Sequence, residues 1–177
     1  AYSLRIFFDF SGYTDIALGL GRLMGFKLPE NFDQPYRKLN LTSFWNSWHI
    51  TLAQWFRAYY FNPVTRFLRT KGAKLPTWGI IFIGQFTTML LIGLWHGITW
   101  NFAIWGAWHG LGLFVNNRWS GWIRPHLDNH SYPAGLETTL KFSGWLLTFN
   151  FVSLGWVWFA LPTPQIAVQF FEQLLNI

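Results

Sequence analysis

Residues 78 to 98 read WGIIFIGQFTTMLLIGLWHGI, a run with no charged side chain. About 20 apolar residues in helical conformation cross the roughly 30 Å of a bilayer's hydrocarbon, so this stretch predicts a membrane span. It closes on Trp95-His96-Gly97, and Trp108-His109-Gly110 repeats the pattern thirteen residues later. An ionisable ring at the edge of a membrane-length segment is costly to keep there, which makes it a candidate for function.

Two further stretches have the same character, 99 to 116 and 140 to 161. The first two spans are separated by Ile98-Thr99-Trp100-Asn101 alone, too little for an exposed domain, so they predict a tight helical hairpin or a partly re-entrant pair. Composition agrees. Hydrophobic residues make up 51% and charged residues 11% of the 177, far from a soluble balance. Aromatic residues make up 21%, more than a water-soluble core of this size uses, and Trp and Tyr collect where bilayer meets water. The expected fold is all-α, a multi-span helical membrane protein forming the carboxy-terminal part of one domain. The net charge of +6 does not gather on one polar face, which argues against nucleic acid, but lies in loops beside the apolar runs. Arg66, Arg69, Lys71 and Lys74 precede the hairpin, and Arg118, Arg124 and Lys141 follow it. The positive-inside rule puts both loops in the cytoplasm and the Ile98 to Asn101 turn outside. With no cysteine, disulfide and thiolate chemistry are excluded.

Residues 43 to 60 carry Phe44, Trp48, Leu52, Trp55, Phe56, Tyr59 and Tyr60 at intervals of three and four, which predicts one amphipathic helix, interfacial or re-entrant. Thr42 or Ser43 is its expected N-cap and Asn62-Pro63 its stop. Residues 13 to 26 predict a short helix capped by Thr14 and ending near Gly25, followed by an irregular stretch to Leu41. Asp9 and Asp15 are expected to pair with Arg5 or Arg22, or to cap a helix.

Among side chains that carry chemistry, His96 leads. A neutral imidazole in low-dielectric surroundings can take a proton from a hydroxyl that attacks an acyl carbonyl; the competing reading is a hydrogen bond across the bundle. His49 lies in Trp45-Asn46-Ser47-Trp48-His49, beside rings able to wall a pocket and two turns before Arg57, or else faces water at the interface. Trp45, Trp48, Trp95, Asn46 and Arg57 are the substrate-binding candidates around the two histidines. His109 is expected to pack, because Gly93, Gly97, Gly106 and Gly110 have the small-xxx-small spacing that brings helices together. His126 and His130 fall in a polar loop and are expected to be solvated. The histidines at 49, 96 and 109 lack the i, i+4 spacing of a helical zinc pair, so no metal site is expected. No G-x-S-x-G elbow supports a serine nucleophile.

The blocks Phe8-Asp9-Phe10-Ser11-Gly12-Tyr13-Thr14-Asp15-Ile16-Ala17, Asn31-Phe32-Asp33-Gln34-Pro35-Tyr36, Ser43 to Leu52, Trp55-Phe56-Arg57 and Gly93-Leu94-Trp95-His96-Gly97 carry, in this order and spacing, a resemblance to the membrane-bound O-acyltransferases. The likeness is to the bacterial branch typified by alginate O-acetylation proteins and the D-alanyl transfer proteins of teichoic acid. It implies that His96 matches the family's central catalytic histidine and His49 the second histidine along the reaction tunnel. It also implies a many-helix fold, with an acyl donor or acyl-carrier protein on the cytoplasmic side and an acceptor hydroxyl on the outer side. Members are more than twice as long, so the chain is expected to be an amino-terminally truncated piece. Ala160 stands where an arginine often follows the closing aromatic.

The expected function is therefore transfer of an acyl group, acetyl for preference, from a thioester or similar donor to a hydroxyl of an exopolysaccharide or of an extracytoplasmic partner protein. His96 is the expected general base and the donor a co-substrate, with no bound cofactor. The expected setting is a bacterial inner membrane, in contact with lipid. A histidine-lined transport or channel component without covalent chemistry is the alternative, and a scaffold for extracytoplasmic partners a third.

Overall fold

The computed structural model describes residues 1–70, 75–128 and 134–176, with backbone alone for 124–128 and 134. His130, Lys71 and Lys74, and the side chains of Arg124 and His126, lie outside that description. The described residues are helical and contain no strand beyond one isolated antiparallel bridge, Phe32 to Trp48. The order is α1 (Tyr2–Leu23), a 3-10 turn (Pro35–Arg37), α2 (Leu41–Trp45), α3 (Ile50–Phe56), a π-helical turn (Arg57–Phe61), α4 (Asn62–Thr70), α5 (Thr77–His96), α6 (Trp100–Asp128), α7 (Ala134–Ala160) and α8 (Pro164–Leu175). Helix α5 and residues Gly135–Ala160 of α7 are long and apolar enough to cross a membrane, with mean hydropathy 1.6 and 1.2.

The α5–α6 hairpin is the spine, and glycine makes it possible. A Cβ on Gly106 would lie 2.5 Å from the Met89 carbonyl oxygen and 2.9 Å from Leu90 Cα. One on Gly93 would run into the Phe102 carbonyl oxygen, and one on Gly110 would come within 2.9 Å of Phe86 Cα. The two backbones thus touch directly, as small-residue spacing allows. Polar ties then fix the other elements to this spine, since lipid offers no hydrophobic drive between helices. Trp108 Nε1 donates to the Phe151 carbonyl across α6 and α7 at 3.1 Å. Asn101 Nδ2 donates to the Leu161 carbonyl at 2.5 Å, and Asn116 Nδ2 to Thr42 Oγ1 at 2.9 Å. Tyr36 ties three segments: its hydroxyl donates to the Ser3 carbonyl at 2.7 Å, accepts from Trp156 Nε1 at 3.1 Å, and its carbonyl accepts from Trp145 Nε1 at 2.8 Å.

Several elements differ from what the sequence pattern alone implies. The helix expected over 43–60 is broken at Asn46–His49. There the chain leaves the helical path to pair with an upstream loop: Asp33 N–H donates to the Ser47 carbonyl and Ile50 N–H to the Asn31 carbonyl, both at 3.0 Å. Tertiary pairing outweighs propensity at this point. The cap of α2 is Asn40, whose Oδ1 accepts from Ser43 N–H at 2.8 Å, rather than Thr42 or Ser43. Asn62-Pro63 is no stop. The π-turn ahead of it widens the helix, so the bond that Pro63 cannot donate is not required, and α4 continues.

Helix α1 runs from Tyr2 rather than Tyr13, and Thr14 bonds back to the Phe10 and Ser11 carbonyls from mid-helix. Its end near Gly25 is as expected, closed by Phe26 N–H to the Gly21 carbonyl and Gly25 N–H to the Arg22 carbonyl, with Gly25 at φ +83°. Asp9 does pair with Arg5, at 3.4 Å and exposed, whereas Arg22 pairs with Glu30. Helix α6 continues past the expected limit at 116 to Asp128, and Asn101, His109 and Asn116 dilute its apolar first half.

Candidate functional site

His96 is the last residue of α5. The chain turns there, so its ring meets both the start of α6 and the end of α7. Ring centroids lie 5.6 Å from Trp105, 5.1 Å from Phe159 and 4.9 Å from Trp95. The ring is half-buried, and among the described residues it makes no hydrogen bond. A bond across the bundle finds no partner for it among the described residues.

His49 arrives from the break between α2 and α3. It is the N-cap of α3 with φ 44° and ψ 54°, a left-handed conformation that costs a residue with a Cβ about 1 kcal/mol or more. Asn31 holds it there. Its Oδ1 lies 3.1 Å from His49 Nδ1, 3.2 Å from Thr51 N and 2.9 Å from Thr51 Oγ1. The Thr51 N–H can only donate, so the atom it meets is an acceptor. His49 must then donate from Nδ1, which leaves Nε2 as the lone-pair nitrogen of the neutral ring. Phe10 packs edge-on against the ring at 4.8 Å.

Both histidines line one chamber of about 40 Å³, walled on its far side by Trp48, Trp105, Trp156 and Phe159. These rings interlock: Trp105 and Trp156 stack at 5.7 Å and 24°, and Trp48 meets Trp156 at 5.1 Å. Trp105 and Trp156 are 1% and 2% exposed. The indole N–H groups of Trp45 and Trp105 are buried without an acceptor among the described residues. A second cavity of about 200 Å³ adjoins the chamber, sharing Trp45, Ala53 and Ile92 with it and carrying Arg57, Asn46, Gln85 and Thr88.

The sequence-derived candidates thus divide. Trp45 and Trp48 wall the histidine chamber. Arg57 and Asn46, joined by a 2.5 Å hydrogen bond, belong to the neighbouring cavity. Trp95 is largely exposed and contributes to an apolar groove outside α3 and α5. His109 is fully buried behind the chamber wall, with ring centroids 5.1 Å from Trp45 and 5.0 Å from Trp105, and packs as expected. Sequence reasoning missed the roles of Asn31, Trp105, Trp156 and Phe159. Only Asn31 left a signal, as a polar residue just before the apolar Phe32.

Two consequences are measurable. Burial, and then the nearby His96, push the His49 pKa down from 6.5 to about 4. A histidine depressed in the folded state gives stability that is complete above pH 6.5 and is lost as pH falls from 6.5 toward 4. Histidine-selective NMR should find His49 neutral at about pH 5.5; a midpoint at the ordinary histidine value would contradict this burial. Asn31→Ala removes the oxygen on which three donors converge. It should slow any reaction that needs His49 in register by roughly tenfold to a hundredfold. Loss of the same size in Asn31→Ala, His49→Ala and the double variant would establish that Asn31 acts through His49; additive losses would refute it.

Residues 1–154 match the family model described as MBOAT, membrane-bound O-acyltransferase family. The chain is 39% identical over 176 residues to a probable alginate O-acetylase of Pseudomonas aeruginosa, covering 99% of this chain and 30% of that protein. It is 34% identical over 177 residues to a peptidoglycan O-acetyltransferase of Helicobacter pylori, covering 100% of this chain and 31% of that protein. To a teichoic acid D-alanyltransferase of Streptococcus thermophilus it is 36% identical over 167 residues, 90% of this chain and 39% of the relative. The chain therefore spans less than a third of the length of the first two relatives.

Proposed function

The chain belongs to the membrane-bound O-acyltransferase family, and on that premise we propose that it carries the reaction centre of an enzyme that transfers an acetyl group to a hydroxyl. The acceptor is an extracytoplasmic polysaccharide or a partner protein, and the donor is a thioester presented from the cytoplasm, by an acyl-carrier protein or a free carrier. The enzyme sits in the bacterial inner membrane with several spans. The observation that supports this most is the meeting of His96 and His49 on the wall of one largely aromatic chamber, beside a second cavity that bears Arg57.

His96 takes the proton from the acceptor hydroxyl as its oxygen attacks the acyl carbonyl carbon. The tetrahedral oxyanion needs donors, and Trp45 and Trp105 of the chamber lining carry indole N–H groups with no acceptor among the described residues. Collapse breaks the carbon–sulfur bond, and the departing thiolate recovers the proton from His96. His49, with its lone pair on Nε2, accepts from a neighbouring O–H or N–H of the acceptor molecule and so holds the attacking hydroxyl in line.

The test is transfer of labelled acetyl from an acetyl-pantetheine thioester to alginate, peptidoglycan or teichoic acid, using the full-length protein in membranes. Covalent label on one acceptor, lost on replacing His96, supports the reading. Passage of unmodified solute through the protein with no label transferred would replace it by a conduit.

A further inference from the structure

The histidine chamber and its larger neighbour are separated by very little. Of the three residues common to both, Trp45 is a buried ring held against Phe44 and Trp105. The other two are aliphatic: Ile92, 3% exposed on α5, and Ala53, a single methyl on α3. The chamber's far wall cannot give way, because its tryptophans stack on one another and are almost wholly buried. Its volume of about 40 Å³ holds roughly three waters, at about 10–15 Å³ of such space for each. Three heavy atoms are what an acetyl group brings: carbonyl carbon, oxygen and methyl.

We propose that Ile92 and Ala53 form an acyl-length filter, a partition that admits acetyl, tolerates propionyl poorly, and refuses longer chains by denying their methylenes the neighbouring cavity. This rests on the transferase reading above and names the residues that set its substrate class. Each further methylene has to displace a packed ring or the Ile92 side chain. A pocket that lacks room for one methylene discriminates by roughly 10- to 200-fold.

The experiment uses the full-length protein in membranes with acetyl-, propionyl-, butyryl- and octanoyl-pantetheine, and whichever of the three polymers accepts acetyl. The wild type should transfer butyryl about a hundredfold more slowly than acetyl, and octanoyl not measurably. Ile92→Ala, which opens the partition, should raise the butyryl-to-acetyl ratio by about tenfold or more. Ala53→Val, which thickens it, should lower the propionyl-to-acetyl ratio. Butyryl or octanoyl transfer by the wild type within about twofold of acetyl would overturn the filter, as would an unchanged ratio in folded Ile92→Ala. If that variant does not fold, the wild-type profile and Ala53→Val decide alone. Failure of the transferase reading looks different: acetyl reaches no acceptor, or reaches it equally well without His96.

Discussion

Replacing His96 by alanine should lower acetyl transfer by roughly a hundredfold to ten-thousandfold, the range a positioned general base supplies, while the protein still inserts and is extracted folded. The separation of activity from folding has a structural cause. His96 is half-buried, makes no hydrogen bond among the described residues, and stands at the last residue of α5, where the helix ladder is already ending. Its removal leaves no buried donor or acceptor without a partner, so the stability cost is that of a lost ring contact. His96→Gln sharpens the test: it keeps polarity and approximate size but cannot accept and return a proton at neutral pH. It should be as inactive as the alanine variant. Activity of either variant near wild type would remove His96 from the chemistry.

The second large effect lies away from the histidines. Gly106→Ala places a methyl 2.5 Å from the Met89 carbonyl oxygen and 2.9 Å from Leu90 Cα. Both obstacles are backbone of α5 and cannot rotate aside, so the helices have to part. Overpacking of this kind costs about 1–3 kcal/mol. A displacement of about 1 Å at the end of α5, where His96 stands, is enough to lose about a hundredfold in rate. Gly121→Ala on the same helix is the control: a Cβ there meets nothing within 4 Å, and alanine is the better helix former by up to about 1 kcal/mol. Heating membranes and following soluble, monodisperse protein should rank Gly106→Ala below wild type and Gly121→Ala at or above it. Equal midpoints for the two variants would mean that α5 and α6 are not in backbone contact.

What was legible in the sequence was whatever a local pattern encodes. The apolar run at 78–98 became α5, Thr77–His96, and Gly106 and Gly110, four apart on one face of α6, became the seam together with Gly93 of α5, while Gly97 fell outside both helices. The end of α1 was legible at Gly25, since only the chain's own hydrogen bonds close it. Long-range pairing was not. The break at Asn46–His49 depends on Asn31 to Asp33, and nothing within residues 43–60 announces it; their periodicity describes an unbroken helix. Helix α7 starts at Ala134 rather than 140, with Lys141 reaching back to Glu137 at 2.5 Å, a charged first turn that apolar run-length cannot detect. The chamber suffered most. Two of its walls, Trp156 and Phe159, come from α7, some 60 residues beyond His96. Only the packing of α7 on the hairpin brings them there. Arg57 and Asn46 lie close to His49 in sequence, yet the change of direction at His49 sends them to the other cavity.

The glycine seam also decides what kind of machine this is. With main chain resting on main chain, α5 has no cushion of side chains on which to slide, and a piston stroke of one turn would drive carbonyl into carbonyl. His96 is mounted on a stationary post. Substrates have to come to it by the swivelling of exposed side chains such as its neighbour Trp95, not by a sliding of α5.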